Sequence, residues 1–233
     1  RGSGYDGFMQ DYISCTSDRL VLLPDGVNLT VAAFTEIISV CVHAISRFDN
    51  FSHSRKEKIG VWGDGNVGFI AALLLHYIHP ESEIYVMGTI EEKLAYFTFA
   101  QGTYHVDNLP KDFVIDHAFE CVGGAGSRPA INQIIDYINP EGTISLMGVS
   151  ENFVDLNTRM ILEKGLRVYG SSRSGREDFQ RTVDLLHQYP ELSRYFENIV
   201  GDEISVSTIE DIHEAFRRDY SRNFGKTVMD WHK

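Results

Sequence analysis

Lys58-Ile59-Gly60-Val61-Trp62-Gly63-Asp64-Gly65-Asn66-Val67-Gly68 sets the architecture of this chain. Ile59 to Trp62 is a short apolar run of the kind that forms a buried strand. It ends in a G-x-G-x-x-G turn. Val67, Ile70, Ala71, Leu74, Leu75 and Ile78 then recur at helical spacing on one face. In a strand–turn–helix unit, Gly63 makes the tight turn and Gly65 lets a pyrophosphate approach the backbone. Gly68 lets helix and strand pack closely. The helix start offers unpaired N–H groups and the positive end of its dipole to the phosphates. Gly63, Gly65, Asn66, Val67 and Gly68 are therefore the candidate cofactor-binding residues. Asp64, inside the turn, is expected to face solvent. An ordinary glycine-rich turn without a ligand is the competing reading.

Outward from this unit the pattern alternates. Strands are expected at 59–63, 83–88, 103–106, 114–120, 143–148 and 166–171, and helices at 66–78, 91–99, 127–138 and 155–163. Such alternation implies a doubly wound α/β fold, a six-stranded parallel sheet covered on both faces. Asn139-Pro140-Glu141-Gly142 is read as a break before the fifth strand. Upstream, Phe8 to Ile13 and Leu20 to Leu23 read as extended pieces, and Thr30 as the cap of a helix from Val31 to Arg47. Downstream, a helix at 176–188, a strand at 203–206, a Thr208-capped helix at 209–218 and a strand at 227–231 follow. These end pieces do not make a second core. The reading is one whole dinucleotide-binding domain with fragments of a partner domain.

The chain has 233 residues, 43% hydrophobic, with 21 basic and 33 acidic residues and a net charge of −12. That balance argues against a nucleic-acid or membrane-surface partner. Cys15, Cys41 and Cys121 are odd in number and widely spaced, so no disulfide framework or cysteine zinc knuckle is read. A reducing, cytoplasmic setting is expected. No apolar run reaches the roughly 20 residues of a membrane span. The first residue is Arg1 and the opening is glycine-rich, so an N-terminal region is expected to precede it.

Several words resemble one family, the medium-chain zinc-dependent alcohol and polyol dehydrogenases. They are Tyr5-Asp6-Gly7-Phe8-Met9-Gln10-Asp11-Tyr12, Ala32-Ala33-Phe34-Thr35-Glu36 through His43-Ala44, Phe119-Glu120-Cys121-Val122-Gly123-Gly124, Glu141 to Gly148, and Gly225-Lys226-Thr227-Val228. They occur in the family's order over nearly the whole chain. Within the family, the Val61–Ile70, His117–Gly124 and Gly170–Arg176 words are similar to those of the bacterial ribulose-5-phosphate reductases of CDP-ribitol synthesis. The resemblance implies a Rossmann domain at 30–172. Residues 1–29 would be the end of a GroES-like substrate domain, and 173–233 the return segment to it. It implies NADPH-dependent, zinc-assisted reduction of D-ribulose 5-phosphate to D-ribitol 5-phosphate, a cytidylyltransferase partner and a homodimer. The remaining zinc ligands are expected in the region before Arg1.

Site residues follow from strand ends and from the resemblance. The second strand runs into Gly88-Thr89 with no acid at its tip. Thr89 can donate to a 2′-phosphate, and Lys93 can reach back as a point charge, so NADP is preferred over NAD. Glu91 and Glu92 weigh against this. Cys121 and Val122 leave the fourth strand, and Gly148 and Val149 the fifth, at the ends that face the ligand crevice of such a sheet. Cys121 reads equally as a small buried hydrophobe. From the residues alone Glu36 reads as an exposed helix glutamate; by resemblance it is the carboxylate beside the catalytic zinc. Ser171 is read as a cofactor contact and Arg173 as a substrate contact whose guanidinium suits a sugar phosphate. Arg176 is a second phosphate candidate, and either arginine reads equally as an ordinary loop residue. Lys226 is a candidate for the pyrophosphate or a plain surface residue, and His43 is read as packing. An NAD-linked polyol dehydrogenase and a non-catalytic dinucleotide-binding module are the alternatives.

Overall fold

The structure, a computed structural model, describes residues 7–231. Tyr5 and Asp6, which open the first of the family-like words, lie outside the described residues. Strand β1 (Lys58–Trp62) alternates, and that alternation builds two cores. Ile59 and Val61 point into one apolar cluster, while Trp62 points into another. The same split recurs in β2 (Glu83–Gly88), where Ile84 and Val86 face the first cluster and Met87 the second.

Before β1 come a single turn, α1 (Leu29–Ala32), and a long helix, α2 (Thr35–Phe51). Between β1 and β2 lies α3 (Asn66–Ile78). Then follow α4 (Glu91–Leu94), β3 (Gly102–His105), β4 (Ile115–Glu120), α5 (Ser127–Tyr137), β5 (Ile138–Leu146), α6 (Thr158–Glu163) and β6 (Arg167–Gly170). The six strands are all parallel, in the order β3-β2-β1-β4-β5-β6. The order reverses between β1 and β4, so the ligand crevice lies above their C-terminal ends. Helices α2 and α3 cover one face and α5 and α6 the other. The expected doubly wound sheet is the observed one.

The chain continues through α7 (Arg176–Gln188), which packs on α2, and α8 (Pro190–Phe196). A separate parallel pair follows, β7 (Val200–Val206) and β8 (Lys226–Trp231), joined by α9 (Ile209–Ser221). This small lobe lies within residues 173–233, the stretch expected to return to a partner domain. Residues 8–13 and 20–23, expected to be extended, join neither sheet.

Several boundaries moved for physical reasons. Asn28, not Thr30, caps the first turn, accepting from the Thr30 and Val31 N–H groups at 3.0 and 3.3 Å. Thr30 instead donates to Glu203 at 3.0 Å. The fourth helix stops at Leu94 rather than 99. Phe97 and Phe99 both pack on Phe69, at 5.2 and 5.5 Å between ring centroids, and residues two apart on a helix cannot face one neighbour. The expected break at 139–142 is a kink inside β5, where Glu141 takes φ 63° and the register shifts. Helix α3, read as one-sided, is buried all round from Gly68 to Leu75, with Val67 and Ile78 only half-buried. Such a helix belongs to an interior layer.

Candidate functional site

At the turn, Gly63 takes φ 129° and its N–H donates to the Met87 carbonyl at 2.8 Å. Only glycine tolerates that backbone comfortably. A Cβ on Gly68 would lie 1.9 Å from the Gly63 carbonyl oxygen, so any other residue there would push the helix off the strand. Around the Cβ position of Gly65 nothing lies within 4 Å, which leaves the approach open. Gly65 is the N-cap of α3 and supplies no side-chain cap. The Phe69 N–H bonds the Gly65 carbonyl at 2.9 Å, so the N–H groups of Asn66, Val67 and Gly68 precede the helical ladder. An uncapped helix start of this kind is an anion-binding surface.

Asp64 does not face solvent. Its Oδ2 crosses to the end of β2 and accepts the N–H groups of Thr89 at 2.7 Å and Ile90 at 2.9 Å. Those two donors draw the carboxylate back onto the sheet. Gly88 makes room for it, since a Cβ there would meet the Asp64 side chain at 2.6 Å. Gly63, Asp64, Gly65, Thr89 and Lys93 line one cleft of about 380 Å³. Cys121 and Val122 close its other side.

Beyond β4 the backbone is organised by a residue the sequence reading passed over. Glu120 is 1% exposed. Its Oε1 accepts the N–H groups of Val122 and Gly123 at 3.0 and 3.3 Å, and its Oε2 that of Gly148 at 3.2 Å. One carboxylate thus ties the exits of β4 and β5 together. The Gly124 N–H adds a bond to the Val149 carbonyl at 2.7 Å. Val149 is exposed and Gly148 half-buried. Burial, with Cys41 and Glu120 adding to it, pushes the Cys121 thiol well above its usual pKa and keeps it neutral. Ser171 is buried after β6, where its N–H bonds the Leu146 carbonyl at 3.0 Å.

The other candidates lie apart from the cleft. The Asn66 amide is committed to Gly225, donating to its carbonyl at 3.2 Å and accepting its N–H at 2.9 Å. Lys226 donates to Asp219 at 3.0 Å. Together with Glu36 it lines a second groove that shares no residue with the first. Glu36 is exposed there. Among the described residues no three His, Cys, Asp or Glu side chains converge to hold a metal ion, so Glu36 by itself makes no zinc site. Arg173 is exposed and holds φ 67°, a left-handed backbone that a non-glycine residue rarely adopts. Arg176 donates from Nε to the Leu20 carbonyl at 3.2 Å, which ties it to the N-terminal segment. His43 pairs with Asp178 at 3.1 Å between α2 and α7, a packing role.

Trp62, Met87, Val106, Asp107, Pro129 and Gln133 also line the cleft, and the sequence reading did not name them. Trp62 and Met87 end strands beside the turn, so strand position alone could have pointed to them. Gln133 is placed by tertiary bonds, from the Trp62 indole N–H at 2.8 Å and to the Val106 carbonyl at 2.7 Å.

Comparisons with known proteins agree with this geometry. The family described as zinc-binding dehydrogenase matches residues 74–188. A ribulose-5-phosphate reductase of Bacillus spizizenii is 53% identical over 231 residues, covering 99% of this chain and 68% of the relative. Ribulose-5-phosphate reductase 1 of Staphylococcus aureus is 51% identical with the same coverage. The crystal structure of S. aureus TarJ in complex with NADPH superposes with a TM-score of 0.95 at 50% identity, covering 98% of this chain and 72% of that one. Galactitol-1-phosphate dehydrogenase from Escherichia coli, at 20% identity and a TM-score of 0.77, shares the fold.

Proposed function

This chain belongs to the zinc-binding dehydrogenase family, and from that membership we propose that it reduces D-ribulose 5-phosphate to D-ribitol 5-phosphate with NADPH. The observation that carries the reading is the uncapped start of α3, opening onto the cleft that also holds Thr89 and Lys93. The N–H groups of Asn66, Val67 and Gly68 take the pyrophosphate. Lys93 and the Thr89 hydroxyl take the 2′-phosphate. In this reading the adenosine half lies over β2 and the nicotinamide half over the exits of β4 and β5, which the strand order supports. There the loops held by Glu120 shape its bed and exclude water from one side of the ring. When bound, the cofactor supplies the hydride.

Arg173 is the substrate-phosphate residue in this reading. No described residue pairs with its guanidinium, and its backbone carries the strain that gathers at functional positions. The family binds zinc, which would polarise the substrate carbonyl; Glu36 is the residue of this chain that would face the ion, and among the described residues no second or third ligand converges on it. A dimer belongs to the same reading, supported by β6 lying at the sheet edge with one side unpaired. So do a cytoplasmic place and a cytidylyltransferase that consumes the product. Among the described residues no helix is long and apolar enough to cross a membrane.

One observation favours a second reading, an NAD-linked polyol dehydrogenase: the Asp64 carboxylate sits at the tip of β2, where an acid suits a free ribose 2′-hydroxyl. A single assay separates the two. Full-length protein with NADPH is expected to oxidise the cofactor with ribulose 5-phosphate and not with unphosphorylated ribulose. Equal rates with both sugars, or turnover with NADH alone, would overturn the proposal.

A further inference from the structure

We propose that Asp64, not a residue of the second strand, reads the 2′ position of the adenosine ribose and limits the preference for NADPH. The inference rests on the dinucleotide reading above and deepens it. In sheets of this order the acid that reads the ribose stands at the end of the second strand. Here that end is Gly88-Thr89, which carries no acid. The space is filled from the glycine turn instead. Asp64 Oδ2 lies 2.7 Å from the Thr89 nitrogen and 2.9 Å from that of Ile90. It also lies 3.5 Å from the Thr89 hydroxyl oxygen. Gly88 is part of the arrangement, because a Cβ at that position would collide with the aspartate.

Two consequences follow. The carboxylate occupies the pair of backbone N–H groups that a 2′-phosphate would otherwise use. Its charge also opposes that of Lys93, which lines the same cleft. A 2′-hydroxyl can donate to the remaining carboxylate oxygen, whereas a 2′-phosphate meets like charge. Asp64 therefore favours NADH and Lys93 favours NADPH, and selectivity is set by their difference.

Asp64→Asn tests this, because the amide oxygen can still accept from Thr89 and Ile90 while the charge is gone. In the full-length enzyme the ratio of kcat/KM for NADPH to that for NADH is expected to rise about tenfold. Lys93→Met is expected to move the same ratio the other way. Asp64→Ser, a smaller neutral residue, serves if the asparagine variant does not fold. A purely structural aspartate would lower both efficiencies together and leave the ratio unchanged, and that result overturns the proposal. If the wild-type enzyme uses neither cofactor, the dinucleotide reading falls with it. If the wild type uses a cofactor and neither neutral variant moves the ratio, only the role of Asp64 falls.

Discussion

His117 is fully buried in the middle of the sheet, 5.0 Å from Phe48 and 4.3 Å from His53 between ring centroids. Its Nδ1 accepts the Thr143 N–H at 3.1 Å, which leaves the ring proton on Nε2. Burial first, and the neighbouring His53 second, push its pKa down to about 4. In the unfolded chain it returns to about 6.5. Between those values the unfolded state binds a proton that the native state refuses. The contribution to stability is thus complete above about pH 6.5 and is lost as pH falls toward 4, by about 3 kcal/mol at most. Urea unfolding across that range is expected to show this slope, and His117→Gln, which can still accept from Thr143, is expected to flatten it. A wild-type profile level from pH 7 to 4 would contradict the assignment. Asp116 acts in a lower window. Burial would raise its pKa, but hydrogen bonds from Asn139, the Lys58 N–H and Arg55 hold it below the usual value. Its contribution is present above about pH 3.8 and is lost below that.

Helices α3 and α5 treat their ends in opposite ways, and the contrast separates binding from stability. The start of α3 is left open, which is what a phosphate needs. The end of α5 is closed by a side chain from the far end of α6. Lys164 Nζ donates to the carbonyls of Ile135, Asp136 and Ile138 at 2.7, 2.9 and 2.9 Å. Those are the orphan carbonyls of a helix terminus, met by a cation at the negative end of the dipole. Burial lowers the Lys164 pKa, so the contacts are made at some desolvation cost. Lys164→Met keeps the apolar stem and removes the donor. It is expected to lower the unfolding free energy by about 2 kcal/mol while leaving cofactor affinity unchanged, as checked by denaturant titration and fluorescence binding. A loss of cofactor affinity of the same size would mean that α5 and the cleft are coupled more tightly than this.

Across the whole molecule, the β7–β8 lobe is fastened to the dinucleotide domain next to the phosphate turn. Asn66 bonds both polar groups of buried Gly225, and Phe224 stacks on Tyr96 at 4.6 Å. Asn66→Ala would leave the Gly225 N–H buried without a partner, a cost of about 1–3 kcal/mol. Amide exchange at Gly225 and along β8 is therefore expected to accelerate about tenfold or more, with the interior of α3 unchanged. Unchanged exchange at Gly225 would show that the aromatic contacts alone hold the lobe. None of this coupling was legible in the sequence, because 159 residues separate the two partners. Local patterns fared better. Alternation and the glycine turn gave the six parallel strands, since buried strands and an uncapped helix start need particular residue types at short spacing. Boundaries failed where distant packing overruled the local pattern, as at Phe97 and Phe99. The sequence by itself determined the sheet, its winding and the place of the glycine turn, all of which rest on neighbours a few residues apart. Only the tertiary structure decided where Asp64, Glu120 and Asn66 spend their polar atoms. The donors and acceptors that satisfy them come from other strands and loops, and a buried polar group goes where its partners are.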